Sequence, residues 1–275
     1  MRVSEIHAPS SLAEVLEQRR RLPEAAFYAG GTELLREQAG RFLRLPPEII
    51  SLGAVPELRQ VALTERFVEI GAAVTLAEIL ELRENAVPEL LAVALRGVAT
   101  PAIRNLATLG GNLATRSRFM DSWPALACLD ALAEFRDASG SHWVNVNRIA
   151  DAEGLPAPPA GALLSRVRIP LERWDAIAIR KVGLRDYPAA ETAVFALAAR
   201  AEKGILSEFR LAFAGERSLR LREVEARILG RRLPLNAKER RSFSGDYREA
   251  ASSLPPGLKQ QFGTLVDGAL DLLSR

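Results

Sequence analysis

The chain has 275 residues, 48% of them hydrophobic and 26% charged, which is ordinary for a globular protein. Its 37 Lys and Arg residues nearly match 34 Asp and Glu residues, and the net charge of +3 argues against a dedicated nucleic-acid-binding protein. One cysteine and two histidines exclude a cysteine-ligated iron–sulfur cluster and a disulfide framework within this chain, and argue against a structural zinc site.

The length predicts two compact units, at about 150 residues per domain, with a boundary near residue 170. The first residues lack the continuous apolar segment of a secretory signal, and no apolar run reaches the roughly 18 residues that a membrane helix needs. We therefore expect a cytoplasmic protein with no membrane span. Cys128 lies in the apolar run "PALACLDAL", which favours a buried small hydrophobe over a reactive thiol.

The first 55 residues alternate strand and helix signals. A short strand is predicted over residues 3–6, and Ser11 with Glu14 forms a capping-box pattern at the start of a helix. The apolar segment "AAFYAGG" predicts a buried strand that feeds a loop, and "EIISL" predicts another strand.

Residues 56–170 continue in the same way. A strand is predicted to end at Gly71, and Thr75 with Glu78 repeats the capping-box pattern before an amphipathic helix. Pro88 fits the first turn of a further helix that Gly97 stops. Two strands are predicted over residues 132–146, and a Pro/Gly-rich loop over residues 154–161.

The remaining residues predict an α+β unit rich in helices. Strands are predicted over 163–170, 174–183 and 207–215, with a helix over 189–201 between the last two. Ser218 is predicted to cap a helix that stops at Gly230, and two or three helices follow.

Two glycine pairs stand at the ends of apolar segments: Gly30–Gly31 in "YAGGTELL" and Gly110–Gly111 in "ATLGGN". Neither belongs to a dinucleotide fingerprint G-x-G-x-x-G or to a P-loop. Each pair alone favours a tight turn, but paired glycines also let backbone N–H groups approach the oxygens of a phosphate. Two histidines and the lack of a nucleophile elbow argue against a Ser-His-Asp hydrolase.

The segment "ATPAIRNLATLGGNLATRSRFMDSWPALACLDA" resembles the signature of a known family. It is similar to the FAD-binding (medium) subunit of the xanthine dehydrogenase and carbon monoxide dehydrogenase family of molybdenum hydroxylases. "AGGTEL" resembles the first flavin motif of that family, and "LLSRVRIP", "RKVGLRDYPAAETAVFALA" and "FRLAFAGERSLRLREVEARILG" resemble its downstream segments. The resemblance therefore spans nearly the whole chain.

The resemblance implies an α+β fold of the vanillyl-alcohol-oxidase (PCMH) type. The FAD-binding domain would cover residues 1–170, with α/β subdomains of about 1–55 and 56–170, and residues 171–275 would form a small antiparallel sheet with helices. It also implies FAD as the cofactor and the following FAD-contacting positions: Tyr28, Ala29, Gly30, Gly31, Thr32, Glu33, Leu34, Val98, Thr108, Leu109, Gly110, Gly111, Asn112, Asp121, Leu164 and Lys181.

Charge suggests a role for two of these residues. Lys181 is expected to bind the anionic diphosphate, and Asp121 to accept from a ribose hydroxyl or an adenine amine. Alternative roles are a helix N-cap for Asp121, an extended surface side chain for Lys181 and a surface ion pair for Arg185. No residue is predicted to be catalytic or to bind a metal.

The resemblance further implies partner chains: a large subunit with the molybdenum cofactor and a small subunit with [2Fe–2S] clusters. Electrons would pass from those clusters to FAD and then to NAD or another acceptor. Two alternatives stay open, a stand-alone flavin oxidase and a flavin-free scaffold. Arg116 and Arg118 favour the scaffold, because family members commonly carry small residues or proline there.

Overall fold

The computed structural model describes residues 5–36, 45–114, 121–149, 157–159, 161–182, 192–215, 218–252, 254 and 256–273. The predictions for Arg116, Arg118 and Arg185, and half of the predicted loop at 154–161, lie outside these residues. None of the helices in the described ranges is both long and apolar enough to cross a membrane.

The N-terminal part, as far as its residues are described, is a small parallel sheet with two helices. Helix α1 (Leu12–Arg21) begins after Ser11, whose side chain accepts a hydrogen bond from the N–H of Glu14, as predicted. The Glu14 carboxylate accepts from the N–H of Ser10 instead of completing the capping box. The strand order is β1-β3-β2, and the elements are β1 (Glu5–His7), α1 (Leu12–Arg21), β2 (Ala26–Tyr28), α2 (Thr32–Arg36) and β3 (Glu48–Ser51).

The middle part is an antiparallel sheet, with helices packed into the core on one of its faces. The capping box of Thr75 and Glu78 is complete, which confirms the predicted start of the helix that follows. The strands, in the order β4-β5-β8-β6-β7, are β4 (Val61–Leu63), β5 (Phe67–Gly71), β6 (Leu132–Asp137), β7 (Gly140–Asn145) and β8 (Leu163–Pro170). The helices are α3 (Leu76–Leu80), α4 (Glu89–Arg96), α5 (Pro101–Arg104), α6 (Leu109–Ala114) and α7 (Trp123–Cys128).

The other face of this sheet is polar and centres on the buried carboxylate of Glu134. Ser141 Oγ, Ser165 Oγ and Arg166 Nε each donate a hydrogen bond of 2.6 Å to it. Burial alone raises the pKa of a carboxyl group, but these donors outweigh burial and lower the pKa of Glu134 from 4.5 to about 2. Glu134 is therefore charged in the folded protein at any pH well above 2.

We expect Glu134→Gln to lower the free energy of unfolding by about 2 kcal/mol at pH 6, since it removes a charged acceptor from buried donors. The folded-state pKa lies below the unfolded value, so the wild-type contribution is full above pH 4.5 and is lost as the pH falls towards 2. Urea unfolding at several pH values checks this. The difference between the two proteins should shrink as the pH falls below 4.5, and a constant difference would contradict the prediction.

In the described residues, the C-terminal part is a second antiparallel sheet with three helices. Its strand order is β12-β11-β10-β9, and the elements are β9 (Ala176–Val182), β10 (Ala193–Glu202), β11 (Ile205–Ala214), β12 (Ser218–Arg220), α8 (Arg222–Ile228), α9 (Ala237–Ala250) and α10 (Pro256–Leu272). The predicted α+β class is confirmed by these sheets and helices.

The prediction of a helix over residues 189–201 was wrong. Residues 189–191 lie outside the described part of the chain, and Ala193–Glu202 form strand β10 between β9 and β11. Alanine and leucine favour helices, but here alternate residues enter two different cores. Phe195 and Leu197 pack towards α9 and α10, while Ala196 and Ala198 face the middle part. Burial on both faces overrides helix propensity.

The predicted cap at Ser218 was also wrong. Ser218 lies in the short strand β12, which pairs with β11, and α8 begins only at Arg222. A serine before an apolar, charged segment is typical of an N-cap, but the strand pairing takes up these residues first. Gly230 follows the helix in a left-handed conformation with φ of 77°, as expected for a helix stop.

The C-terminal sheet, formed by strands β9 to β12, packs one of its faces into the core of the middle part and the other into the core of the C-terminal part. Ala212 and Ala214 of β11 pack in the core of the middle part, whereas Leu211 and Phe213 pack against the C-terminal helices. The division at residue 170 remains a prediction.

Candidate functional site

The first glycine loop, residues 29–31, follows strand β2. It packs against Leu106 and Ala107, which lead into the second glycine loop, residues 108–112. A Cβ at Gly30 would lie 1.8 Å from Leu106 O and 3.2 Å from Ala107 Cα. Gly31 has φ of 67° and lies under the ring of Tyr28, where a Cβ would be 2.3 Å from the phenol oxygen. Gly30 is therefore needed for the approach of two backbones, and Gly31 for a left-handed turn.

The same loop carries unused backbone donors. Within the described residues, the N–H groups of Gly30, Gly31 and Thr32 have no hydrogen-bond acceptor. The first backbone bond of α2 runs from Leu35 N–H to Gly31 O. Successive free N–H groups before a helix form a surface that suits anionic oxygens.

The second loop is fixed to the turn that follows β5. Leu109 N–H and Gly110 N–H donate to Val74 O and Ala72 O at 3.0 and 2.9 Å. Gly111 N–H donates to Thr108 Oγ1 at 3.1 Å, and Asn112 N–H to Thr108 O at 2.9 Å. The N–H groups of residues 109–112 are thus engaged within the protein, so these residues can offer a ligand side chains and open surface.

Gly110 and Gly111 differ in the space around them. A Cβ at Gly110 would lie 2.6 Å from Ala72 Cβ and 2.8 Å from Ala72 O. Gly111 is exposed, and outside the backbone of its own helix its Cβ would have one neighbour within 4 Å, Thr108 Oγ1 at 2.9 Å. The fold requires a glycine at 110, whereas nothing so tight surrounds residue 111.

Asn112 connects the second glycine loop to the start of α7, and Asp121 connects the start of α7 to strand β9 of the C-terminal sheet. Asn112 Oδ1 accepts from Ser122 N–H at 3.1 Å and from Ser122 Oγ at 2.6 Å. Lys181 Nζ donates to Asp121 Oδ2 at 2.7 Å. The N-cap position of α7 is Ser122, so the alternative role of Asp121 as N-cap does not hold.

The second oxygen of Asp121, Oδ1, is buried and has no partner among the described residues. Burial raises the pKa of Asp121, and the ammonium group of Lys181 partly offsets this. A buried carboxylate oxygen without a donor is costly, which makes it a place where a ligand hydroxyl or amine would be stabilised.

The other predicted positions lie around these groups. The side chains of Leu109, Val98 and Leu164 are buried in the core of the middle part, so little of them remains for a ligand. Thr32, Glu33 and Leu34 form the first turn of α2, and Arg36 donates to the Glu33 carboxylate. Ala29 joins β2 to the glycine pair.

Sequence reasoning missed the role of Arg104. Its Nη1 donates to Val98 O at 2.7 Å and to Arg96 O at 3.2 Å, and so holds the end of α4. The neighbouring Ala99 has φ of 42°, a left-handed conformation that costs energy in a residue with a side chain. The "IRN" motif carried this signal, but only as part of a family resemblance.

The predicted residues form one connected line. Gly30 touches Leu106 and Ala107, the second loop ends at Asn112, Asn112 binds Ser122, and Asp121 binds Lys181. One end of this line offers free N–H donors and the other an unpartnered carboxylate oxygen. Among the described residues, no group of three metal-ligating side chains comes together.

Comparison with known families decides the assignment. Residues 2–172 match the family model described as the FAD binding domain in molybdopterin dehydrogenase. The chain belongs to this family. It is an oxidoreductase flavoprotein subunit whose cofactor is FAD, and the residues present fit that cofactor: free N–H donors for phosphate oxygens, and an orphan carboxylate oxygen for a hydroxyl or amine.

Curated relatives agree with the assignment. The chain is 28% identical over 243 residues to the xanthine dehydrogenase FAD-binding subunit of Escherichia coli O157:H7, covering 86% of this chain and 82% of that subunit. It is 32% identical over 160 residues to the nicotinate dehydrogenase FAD-subunit of Eubacterium barkeri, covering 56% and 53%. A 181-residue match to aldehyde oxidase 2 of Cavia porcellus, 32% identical, covers 61% of this chain but 13% of that enzyme.

Solved structures confirm the predicted fold. Carbon monoxide dehydrogenase from Hydrogenophaga pseudoflava aligns with a TM-score of 0.83 at 22% identity, over 98% of this chain and 96% of that one. Quinoline 2-oxidoreductase from Pseudomonas putida 86 aligns with a TM-score of 0.80 at 23% identity, over 99% and 96%. At these identities the likeness concerns the fold.

Proposed function

We propose that this flavoprotein subunit belongs to a molybdenum-containing hydroxylase or dehydrogenase complex. It receives electrons from [2Fe–2S] clusters of a partner subunit and passes them to NAD or another acceptor. The molybdenum cofactor is carried by a further, large partner subunit. The names of the relatives support this, because two of them are FAD subunits of xanthine and nicotinate dehydrogenases.

The observation that carries the proposal is the connected line of site residues. The free N–H groups of Gly30, Gly31 and Thr32 bind the diphosphate of FAD, and the exposed surface at Gly111 lets the cofactor pass close to the backbone. Lys181 adds a positive charge, and Asp121 Oδ1 accepts from a hydroxyl or amine. When bound, FAD would supply the capacity to accept electrons one at a time, as from a [2Fe–2S] cluster, and to release them in pairs, as to NAD.

The chain's own residues therefore bind, orient and shield the cofactor, and none of them needs to act as an acid or base on an organic substrate. Cys128 does not take part, because it is fully buried and burial raises the pKa of its thiol to about 12. We place the complex in the cytoplasm, where such a thiol stays reduced.

Absorption spectroscopy and native purification together test the proposal. We expect the purified chain to bind FAD and to show the band of oxidised flavin at about 450 nm, a property of the cofactor itself. Purification from the native organism should recover molybdenum and iron in partner chains. A folded chain without flavin would favour the scaffold, and a flavin-bearing chain that turns over an organic substrate alone would favour the oxidase.

A further inference from the structure

We propose that Arg220, in the C-terminal part of the chain, is a positioning residue for the FAD site and acts through helix α7. This inference rests on the proposed FAD site. Helix α7 carries Ser122 and Asp121 directly before its first residue, and Arg220 binds its other end. The C-terminal sheet thus holds helix α7, and the residues directly before that helix, Asp121 and Ser122, lie at the proposed FAD site.

The C-terminal end of α7 is bound by arginines from β11 and β12. Arg220 Nη1 donates to Ala127 O at 2.5 Å, and Arg210 Nη1 donates to Cys128 O at 3.0 Å. The last carbonyl groups of a helix have no partner within the helix, and they are stabilised by cationic donors. The two arginines, together with Asn147 Nδ2, which also donates to Ala127 O at 3.2 Å, therefore hold the end of α7.

Asp130 completes this attachment. The helix stops in a Schellman motif, with Asp130 N–H donating to Ala127 O and Ala131 N–H to Leu126 O. Asp130 takes the left-handed position, with φ of 51°, where glycine is usual. Its carboxylate accepts a hydrogen bond from Arg220 Nη1 at 2.7 Å. Arg220 therefore stabilises Asp130 in its left-handed conformation.

The opposite end of α7 lies at the proposed cofactor site. Ser122 donates twice to Asn112 of the second glycine loop, and the neighbouring Asp121 binds Lys181 of β9. The helix has six residues, about 9 Å at 1.5 Å per residue, and all of them are buried. Because a short helix in a close-packed core moves as a rigid body, a shift at Ala127 is transmitted to Ser122.

Arg220 is itself fixed. Its side chain is 6% exposed, and its Nε and Nη2 donate to the Glu225 carboxylate at 3.0 Å. Glu225 also accepts from the N–H of Leu211 in β11. A buried ion pair often adds little net stability compared with apolar packing, whereas it does specify one arrangement. Arg220 thus links β11, β12 and α8 to one defined position of α7.

The test measures FAD affinity of the full chain by fluorescence titration. We expect Arg220→Met to raise the Kd for FAD by about tenfold, the scale of known couplings through packed elements. Arg220→Lys keeps the positive charge but loses the planar set of guanidinium N–H donors, and we expect it to raise the Kd for FAD by less than Arg220→Met does. The control is Arg222→Met: Arg222 also binds Asp130, but it is more than half exposed and touches no α7 carbonyl. Its Kd should stay at the wild-type value.

Two readouts separate positioning from simple loss of stability. At saturating FAD, the visible circular dichroism of the bound flavin should differ between Arg220→Lys and the wild type, because the cofactor meets displaced groups. In a double-mutant cycle, Arg220→Lys and Asp121→Asn should be non-additive in their effects on the Kd, since both act on the N-terminal end of α7. If Arg220→Met does not fold, Arg220→Lys and Arg210→Lys carry the test.

Additive effects, together with an unchanged dichroism spectrum, would overturn the inference, as would a wild-type Kd in both lysine variants. In these cases wild-type FAD binding, and with it the proposed function, would still stand. A folded wild-type chain that takes up no FAD would overturn the proposed function and this inference together.

Discussion

Gly111→Val should abolish most FAD binding while the protein stays folded. Residue 111 is exposed, its φ is not left-handed, and outside its own helix one hydroxyl oxygen lies near the position of an added Cβ. Valine fits a helix at least as well as glycine does. The Thr108 hydroxyl, 2.9 Å from the added Cβ, is the group that must shift within the protein. Added methyl groups would instead meet the cofactor, and overpacking of about 1 to 3 kcal/mol corresponds to a Kd raised about 5- to 150-fold.

The matched control is Gly268→Val. Gly268 is also an exposed glycine within a helix, α10, and no atom outside that helix's own backbone lies within 4 Å of an added Cβ. Both variants should keep the far-ultraviolet dichroism of the wild type. FAD content after purification and the Kd by titration should change only for Gly111→Val, and an unchanged Kd there would contradict a cofactor close to this backbone.

Asp130→Asn should lower the free energy of unfolding of the FAD-free protein by about 2 to 3 kcal/mol. Asparagine has the same shape and tolerates the left-handed conformation. The substitution removes the charge and replaces one of the two acceptor oxygens that face the arginines by an NH2 donor. Arg210 and Arg220, whose side chains are 10% and 6% exposed, would keep buried charges with one carboxylate fewer. Each arginine loses one carboxylate partner, while Arg220 keeps Glu225 and Arg210 keeps Glu172 and Glu208. The cost arises at these buried arginines more than at Asp130, which is partly exposed.

Urea unfolding of the FAD-free proteins measures this effect. The control is Asp271→Asn, because Asp271 pairs with Arg240 at the surface and exposed pairs contribute about 1 kcal/mol or less. Equal effects of the two substitutions would contradict the view that Asp130 holds two buried arginines.

Local patterns predicted the parts of the site that depend on neighbouring residues. The capping box at Thr75, the strand before Gly30 and the glycine pairs are all visible over a few residues. The resemblance added the order of the motifs, and from it FAD. The purpose of the individual glycines was not predictable, because Gly30 is required by Leu106 and Gly110 by Ala72, both distant in sequence.

Contacts between distant residues explain what was missed. Arg220 and Asp130 are 90 residues apart, and no pattern within one segment indicates that they meet. Asn112 was predicted to contact FAD, and the two hydrogen bonds that its Oδ1 accepts from Ser122 were not predicted. Strand β10 was taken for a helix because its alanines favour helices locally, whereas two cores on opposite faces of a sheet decide its conformation.

A crystal structure of the chain with FAD tests the central claim most directly. We expect the diphosphate oxygens within hydrogen-bonding distance of the N–H groups of Gly30, Gly31 and Thr32, and a cofactor hydroxyl or amine at Asp121 Oδ1. FAD bound at another surface, with those N–H groups and that oxygen still without partners, would contradict the claim.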